Sequence, residues 1–114
     1  MMTERSIMKA LMEVIADRKA NPPAERSYVV DLMRGGVGKI GAKIVEEAIE
    51  VVEAGDEPGQ SGGDHLVNEV ADLVFHVAVL LGYRDLPWSA VENELARRFG
   101  ISGIAEKESR ERSS

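Results

Sequence analysis

Residues 66–81, LVNEVADLVFHVAVLL, are apolar apart from Asn68, Glu69, Asp72 and His76. Successive residues of a helix lie about 100° apart, which brings Glu69, Asp72 and His76 within roughly 60° of one another. His65 falls on the same line one turn earlier. A helix that is apolar on nearly every side belongs in a core or an interface. Carboxylates carried there need a cation, a metal or a hydrogen-bond donor, because unpaired buried charge is too costly. The sequence offers more carboxylates upstream, in Glu46-Glu47-Ala48-Ile49-Glu50. Four or five carboxylates facing each other across two helices make a site for a divalent metal.

The rest of the chain reads as further helices. Ile7, Leu11, Val14 and Ile15 recur at helical spacing within 3–20, with Thr3 as N-cap, and Asn21-Pro22-Pro23 stops that helix. Ser27 caps a short second helix that ends at Gly35-Gly36. A third carries the broad apolar face Ile40, Ile44, Val45, Ala48, Ile49, Val51 and Val52 and ends near Gly55. Residues 55–64, GDEPGQSGGD, read as a polar loop, with Asp64 capping a fourth helix that runs to Gly82. After Leu86-Pro87 a fifth helix, roughly 88–99, has Val91, Leu95 and Phe99 on one side. There is no repeat and no strand pattern. The fold class is all-α with about five helices, the third and fourth packed antiparallel through a short loop. Residues 3–100 form one domain, and 101–114 are a polar, solvated tail.

With 114 residues and 44% apolar content the chain supports one real core, and its small size favours oligomerisation. A net charge of −6 argues against a general nucleic-acid binder. It tolerates a phosphorylated substrate where metal ions screen the carboxylates. The absence of Cys excludes disulfides, thiolate metal sites and Cys nucleophiles. No signal peptide is visible, and the 66–81 run is short for a membrane span and ionisable at its centre. The expectation is a soluble protein.

Glu47 and Glu50 are three apart, as are Glu69 and Asp72, so each pair shares a helix face. Oxygen ligands in this number suit Mg²⁺ or Mn²⁺. Acidic runs such as 46–50 are more often plain solvated faces, a reading that fits Glu69 and Asp72 less well because their surroundings are apolar. His76, four residues after Asp72, reads first as a paired core histidine. A ferritin-like di-iron centre fails on ligand type, because it requires Glu-x-x-His on two helices. Carboxylate-held metal suits phosphoanhydride cleavage: it neutralises phosphate charge and lowers the pKa of a water that can attack phosphorus. A carboxylate not engaged with metal can take that water's proton.

Lys43-x-x-Glu46-Glu47-x-x-Glu50 followed by Glu69-x-x-Asp72 resembles the signature of the all-α MazG-type nucleotide pyrophosphohydrolases. Further motifs narrow the resemblance: Asp17-Arg18-Lys19, Ser27-Tyr28, Gly36-x-x-Lys39-Ile40-x-x-Lys43, Ala71-Asp72-Leu73-x-x-His76 and Leu95-x-x-Arg98-x-Gly100-x-Ser102-Gly103-x-x-Glu106-Lys107-x-x-Arg110. In this order they are similar to the phosphoribosyl-ATP pyrophosphohydrolase family of histidine biosynthesis, over about residues 7–110. The resemblance implies Mg²⁺-dependent hydrolysis of phosphoribosyl-ATP to phosphoribosyl-AMP and pyrophosphate by a cytoplasmic homodimer. It also implies a MazG-like bundle whose four-helix core is completed by dimerisation. Metal binding carries over onto Glu47, Glu50, Glu69 and Asp72, with Glu46 a further ligand or water-positioning group. Substrate contacts are implied for Ser27, Tyr28, Lys39, Lys43, His76, Arg98, Lys107 and Arg110. On residue type alone, Lys43 can equally pair with Glu47, Arg98, Lys107 and Arg110 are surface charges, and Ser27-Tyr28 is a helix start. Phe75 stands where the family commonly has Tyr. Many relatives are fused to a cyclohydrolase domain; this chain, without Cys, reads as monofunctional.

Two other functions fit parts of the pattern. A general MazG-type hydrolase of (d)NTPs would share the acidic motifs but need not have the Ser102-Gly103-x-x-Glu106-Lys107 tail. A non-catalytic dimerisation module would set its acidic stripes against basic residues of a partner, such as Lys39, Lys43, Arg98, Arg110 and Arg112.

Overall fold

A computed structural model of the chain describes residues 6–100. Thr3 and the tail positions Ser102, Gly103, Glu106, Lys107, Arg110 and Arg112 lie outside the described residues. Four helices follow one another: α1 (Ile7–Ala20), α2 (Tyr28–Gly55), α3 (Gly59–Tyr83) and α4 (Trp88–Phe99). No strand occurs among the described residues.

The first helix starts later than its periodicity suggested. Ser6, whose Oγ accepts the Lys9 N–H at 3.4 Å, is its cap. The expected second and third helices are the two arms of α2, which meet at a kink on Gly36, where the glycine pair predicts a terminus. Gly36 has φ 69° and ψ −164°, a conformation essentially closed to side-chain-bearing residues, so the helical conformation is interrupted at that residue and the chain bends before the second arm begins. Ser27 does cap α2, accepting from the Val30 N–H at 3.4 Å.

The polar loop expected at 55–64 shrinks to 56–58. The helix α3 begins at Gly59, behind Pro58, and Asp64 is not its cap. Asp64 lies inside the first turns and accepts from Gln60 Nε2 at 2.9 Å, an i,i+4 pair. Glycine content suggested a loop; packing overrode it, since buried Gly62 lies directly against the Glu57 backbone. The short connector makes α2 and α3 an antiparallel hairpin, the most extensive packing in the molecule. The fourth helix, α4, falls where it was expected, closes on Gly100 in the left-handed conformation, and packs chiefly against α1.

The core lies toward one end of this hairpin. Ile15 of α1, Leu32 and Ile40 of α2, and Ala78 and Val79 of α3 are fully enclosed, flanked by Met8, Leu11, Met12, Met33, Phe75 and Tyr83. The helices α1 and α3 cross closely at Gly82, where a Cβ would meet Ile15 Cγ2 at 2.5 Å. Lys19 ties α1 to the end of α3, its Nζ donating to the Tyr83 carbonyl at 2.9 Å and to Asp85 Oδ1 at 2.8 Å. At the other end α2 and α3 cover only each other, leaving Val45, Ile49, Val52, Val67 and Val70 exposed.

Candidate functional site

The half of α2 after the kink carries Glu46, Glu47 and Glu50, and the facing stretch of α3 carries Glu69 and Asp72. The antiparallel register brings them together. Glu47, Glu69 and Asp72 each present an oxygen within 4.8 Å of the others, as do Glu46, Glu47 and Glu50, so Glu47 belongs to both groups. Burial is graded across the cluster. Glu47 and Glu69 are 6% and 7% exposed, Glu50 is half-buried, and Glu46 and Asp72 are open to solvent.

Two oxygens are left without a hydrogen-bond partner: Oε1 of Glu47 and Oε1 of Glu69, both enclosed. A buried carboxylate oxygen with nothing to bond is expensive, and native proteins rarely keep one without a reason. A hard divalent cation satisfies several such oxygens at once, and an all-oxygen donor set is the kind it prefers. The residues therefore fit a metal of that class.

Electrostatics tell the same story. Burial, and after it the adjoining Glu69 and Asp72 carboxylates, pushes Glu47 above the usual carboxylate range. Glu50 is also raised, by the facing Glu69 carboxyl first and Glu47 next. Burial pushes Glu69 up as well, but contacts with Glu50, Asn68 and Glu47 outweigh it and hold Glu69 below its ordinary value.

Basic residues stand at the edges. Lys43 bonds Glu46 at 3.1 Å, not Glu47. His65 was aligned with the stripe by spacing but not singled out. Its Nε2 lies 3.3 Å from Glu69 Oε2, and its Nδ1 lies 3.0 Å from Glu57. Its i,i+4 spacing to Glu69 was the available signal. Nothing in the sequence signalled Glu57, which arrives through the α2–α3 connector. Asn68 Nδ2 donates to Glu69 Oε2 at 3.4 Å.

Tyr28 and His76 are bonded to each other, Oη to Nε2, at 2.8 Å. His76 is only 5% exposed and sits one turn beyond Asp72. The Ser27 side chain is engaged as the α2 cap. Two of the basic residues are not brought to the cluster by any described contact. Lys39 lies over Gly35 and acts on Asp31, while Arg98 on α4 donates to Glu94 at 2.8 Å.

Comparison with known proteins agrees with this geometry. The family described as Phosphoribosyl-ATP pyrophosphohydrolase matches residues 8–99. A Phosphoribosyl-ATP pyrophosphatase of Geotalea daltonii is 52% identical over 108 residues, covering 93% of this chain and 96% of that protein. Proteins of the same description from Geobacter sulfurreducens (50% identical, 96% of this chain and 98% of that one) and Rhodopirellula baltica (47%, 88% and 82%) are also similar. Acidic motifs, helical hairpin and full-length similarity converge: the chain belongs to the phosphoribosyl-ATP pyrophosphohydrolase family.

Proposed function

We propose that this protein hydrolyses phosphoribosyl-ATP to phosphoribosyl-AMP and pyrophosphate in histidine biosynthesis, using Mg²⁺ held by Glu47, Glu50, Glu69 and Asp72. The observation that carries the metal assignment is the pair of enclosed, unpartnered oxygens on Glu47 and Glu69. Bound there, Mg²⁺ supplies charge neutralisation for the phosphates and acidifies a water; Mn²⁺ suits the same ligands. Glu46, the exposed member of the three α2 carboxylates in the cluster, is the group left free to orient that water or accept its proton. Lys43, on the same face and paired with Glu46 at the surface, is placed to meet phosphate oxygens when substrate displaces that pairing. Roles for Ser27, Lys39 and Arg98 in holding substrate rest on their match to the family motifs.

A cytoplasmic homodimer belongs to the same reading. By length and composition alone α3 could cross a bilayer, yet only 28% of its most apolar stretch is buried within the chain. Its polar stripe meets the carboxylates of α2, and Val45, Ile49 and Val52 of α2 and Val67 and Val70 of α3 are left exposed. A second copy laid over them gives a four-helix core, the arrangement helical hairpins adopt to bury such surfaces.

Purified protein with phosphoribosyl-ATP and Mg²⁺ is expected to release pyrophosphate. Glu69→Gln should reduce turnover by more than the roughly 10–100-fold typical of losing a residue that merely supports a ligand. Absence of turnover, undiminished turnover in that variant, or a substrate panel in which dNTPs outrun phosphoribosyl-ATP would overturn the reading.

A further inference from the structure

Tyr28 opens α2 and His76 lies deep in α3, yet their side chains close a continuous path to Asp72. His76 Nδ1 is 2.8 Å from the Asp72 backbone carbonyl, and Nε2 is 2.8 Å from Tyr28 Oη. A carbonyl oxygen only accepts, so Nδ1 carries a hydrogen. In the neutral ring Nε2 is then the acceptor, and the Tyr28 hydroxyl donates to it. Both nitrogens are used, and the ring is enclosed. Phe75 completes the packing, stacked on Tyr28 with centroids 6.1 Å apart and edge-on to His76 at 5.0 Å.

We propose that Tyr28 and His76 are positioning residues for Asp72, and that His76 is not a substrate contact. The inference rests on the assignment of Asp72 as a metal ligand. In a regular helix the Asp72 carbonyl already takes the His76 backbone N–H; the imidazole adds a second donor from the side. Tyr28 holds that imidazole in one tautomer and one orientation, as outer partners of metal sites do. It does so from the arm of α2 that precedes Gly36, so the kink angle fixes where the hydroxyl arrives. The path thereby locks the α3 turn between Asp72 and His76 against the α2 arm. That turn must stay in register for Asp72 to keep an oxygen within 4.8 Å of Glu47 and Glu69. Without the hydroxyl, Nε2 is a buried acceptor with no donor. The ring is then held on the Asp72 carbonyl alone, and its orientation is no longer fixed from the α2 side.

The first test is the imidazole tautomer in the metal-free protein, read from long-range ¹H–¹⁵N spectra. Nδ1–H is expected in the wild type, and Tyr28→Phe, which keeps the stacking on Phe75, should shift the Nε2 resonance as its hydrogen bond is lost. The Nε2–H form in the wild type would overturn the proposal. In Mg²⁺-dependent turnover, Tyr28→Phe should lower kcat and raise the Mg²⁺ concentration for half-maximal rate, each roughly tenfold. KM for phosphoribosyl-ATP should stay within about twofold. His76→Asn keeps a donor for the Asp72 carbonyl but drops the Tyr28 partner. The double variant should therefore lose no more than the worse single one. A raised KM at unchanged kcat, or additive losses, would return Tyr28 to the substrate and overturn the relay. Wild-type protein that neither binds Mg²⁺ nor turns over would overturn the metal assignment instead, with the tautomer result still standing.

Discussion

Glu47 is the most enclosed carboxylate among the described residues, and its position is unfavourable for folding without metal. Its folded-state pKa is raised, so between the unfolded value and the raised one the native state binds more protons than the unfolded state. The associated stability is present at acid pH and is lost as pH rises through the raised pKa. Metal-free Glu47→Gln is therefore expected to melt above the wild type at neutral pH. The gap should close as pH falls through the carboxylate range, while the variant's turnover is lost. Thermal melts in EDTA across pH 4.5–7 check this at about half-unit steps, and a gap independent of pH would refute it. At this scale the sequence was informative where side chains share one helix. Periodicity alone put Glu69, Asp72 and His76 on a line. It was uninformative across helices: His76 read first as a paired core histidine, but nothing in the sequence named Tyr28, 48 positions away, as its partner.

Helix α2 shows how one residue can serve as terminus and joint together. Gly36 is the place where a break between two helices was legible, since glycine pairs end helices, but the sequence could not give the angle between the two arms. Packing decides that: Leu32 before the kink and Ile40 after it enter the same core. Gly36→Ala forces a Cβ into a backbone conformation that costs about 1–3 kcal/mol. The expected outcome is a loss of stability of that size in urea unfolding, with the arm bearing Tyr28 displaced. A variant as stable as the wild type would mean the kink relaxes freely. The 55–64 segment was misread, because four glycines suggested a loop where the hairpin had room for helix. That error comes from local propensity meeting tertiary contacts, which propensity cannot see.

The whole molecule is lopsided. Its radius of gyration is 17.2 Å, against roughly 13 Å for a compact domain of 100 residues. Enclosed aliphatic residues gather where α1 lies on the hairpin, and Val45, Ile49, Val52, Val67 and Val70 stand open beside the carboxylates. The all-α class and the antiparallel pair were legible from the sequence, because both follow from period and loop length. The exposure of one hairpin end was not, since a burial-ready face reads the same whether its cover is internal or a second subunit. Val52→Asp is expected to shift sedimentation toward monomer and to make the melting temperature less dependent on protein concentration. A variant sedimenting as the wild type would remove that face from the interface. The connector at 56–58 reaches beyond architecture into folding kinetics. It separates the two halves of the carboxylate cluster by only a short stretch of chain, so their encounter requires little loop-closure entropy and can precede the docking of α1. Mg²⁺ is then expected to accelerate refolding in stopped-flow measurements. If it slowed unfolding alone, ion capture would follow the rate-limiting step. Faster refolding with Mg²⁺ would make the ion a participant in folding, and metal supply would then govern how fast new chains become native.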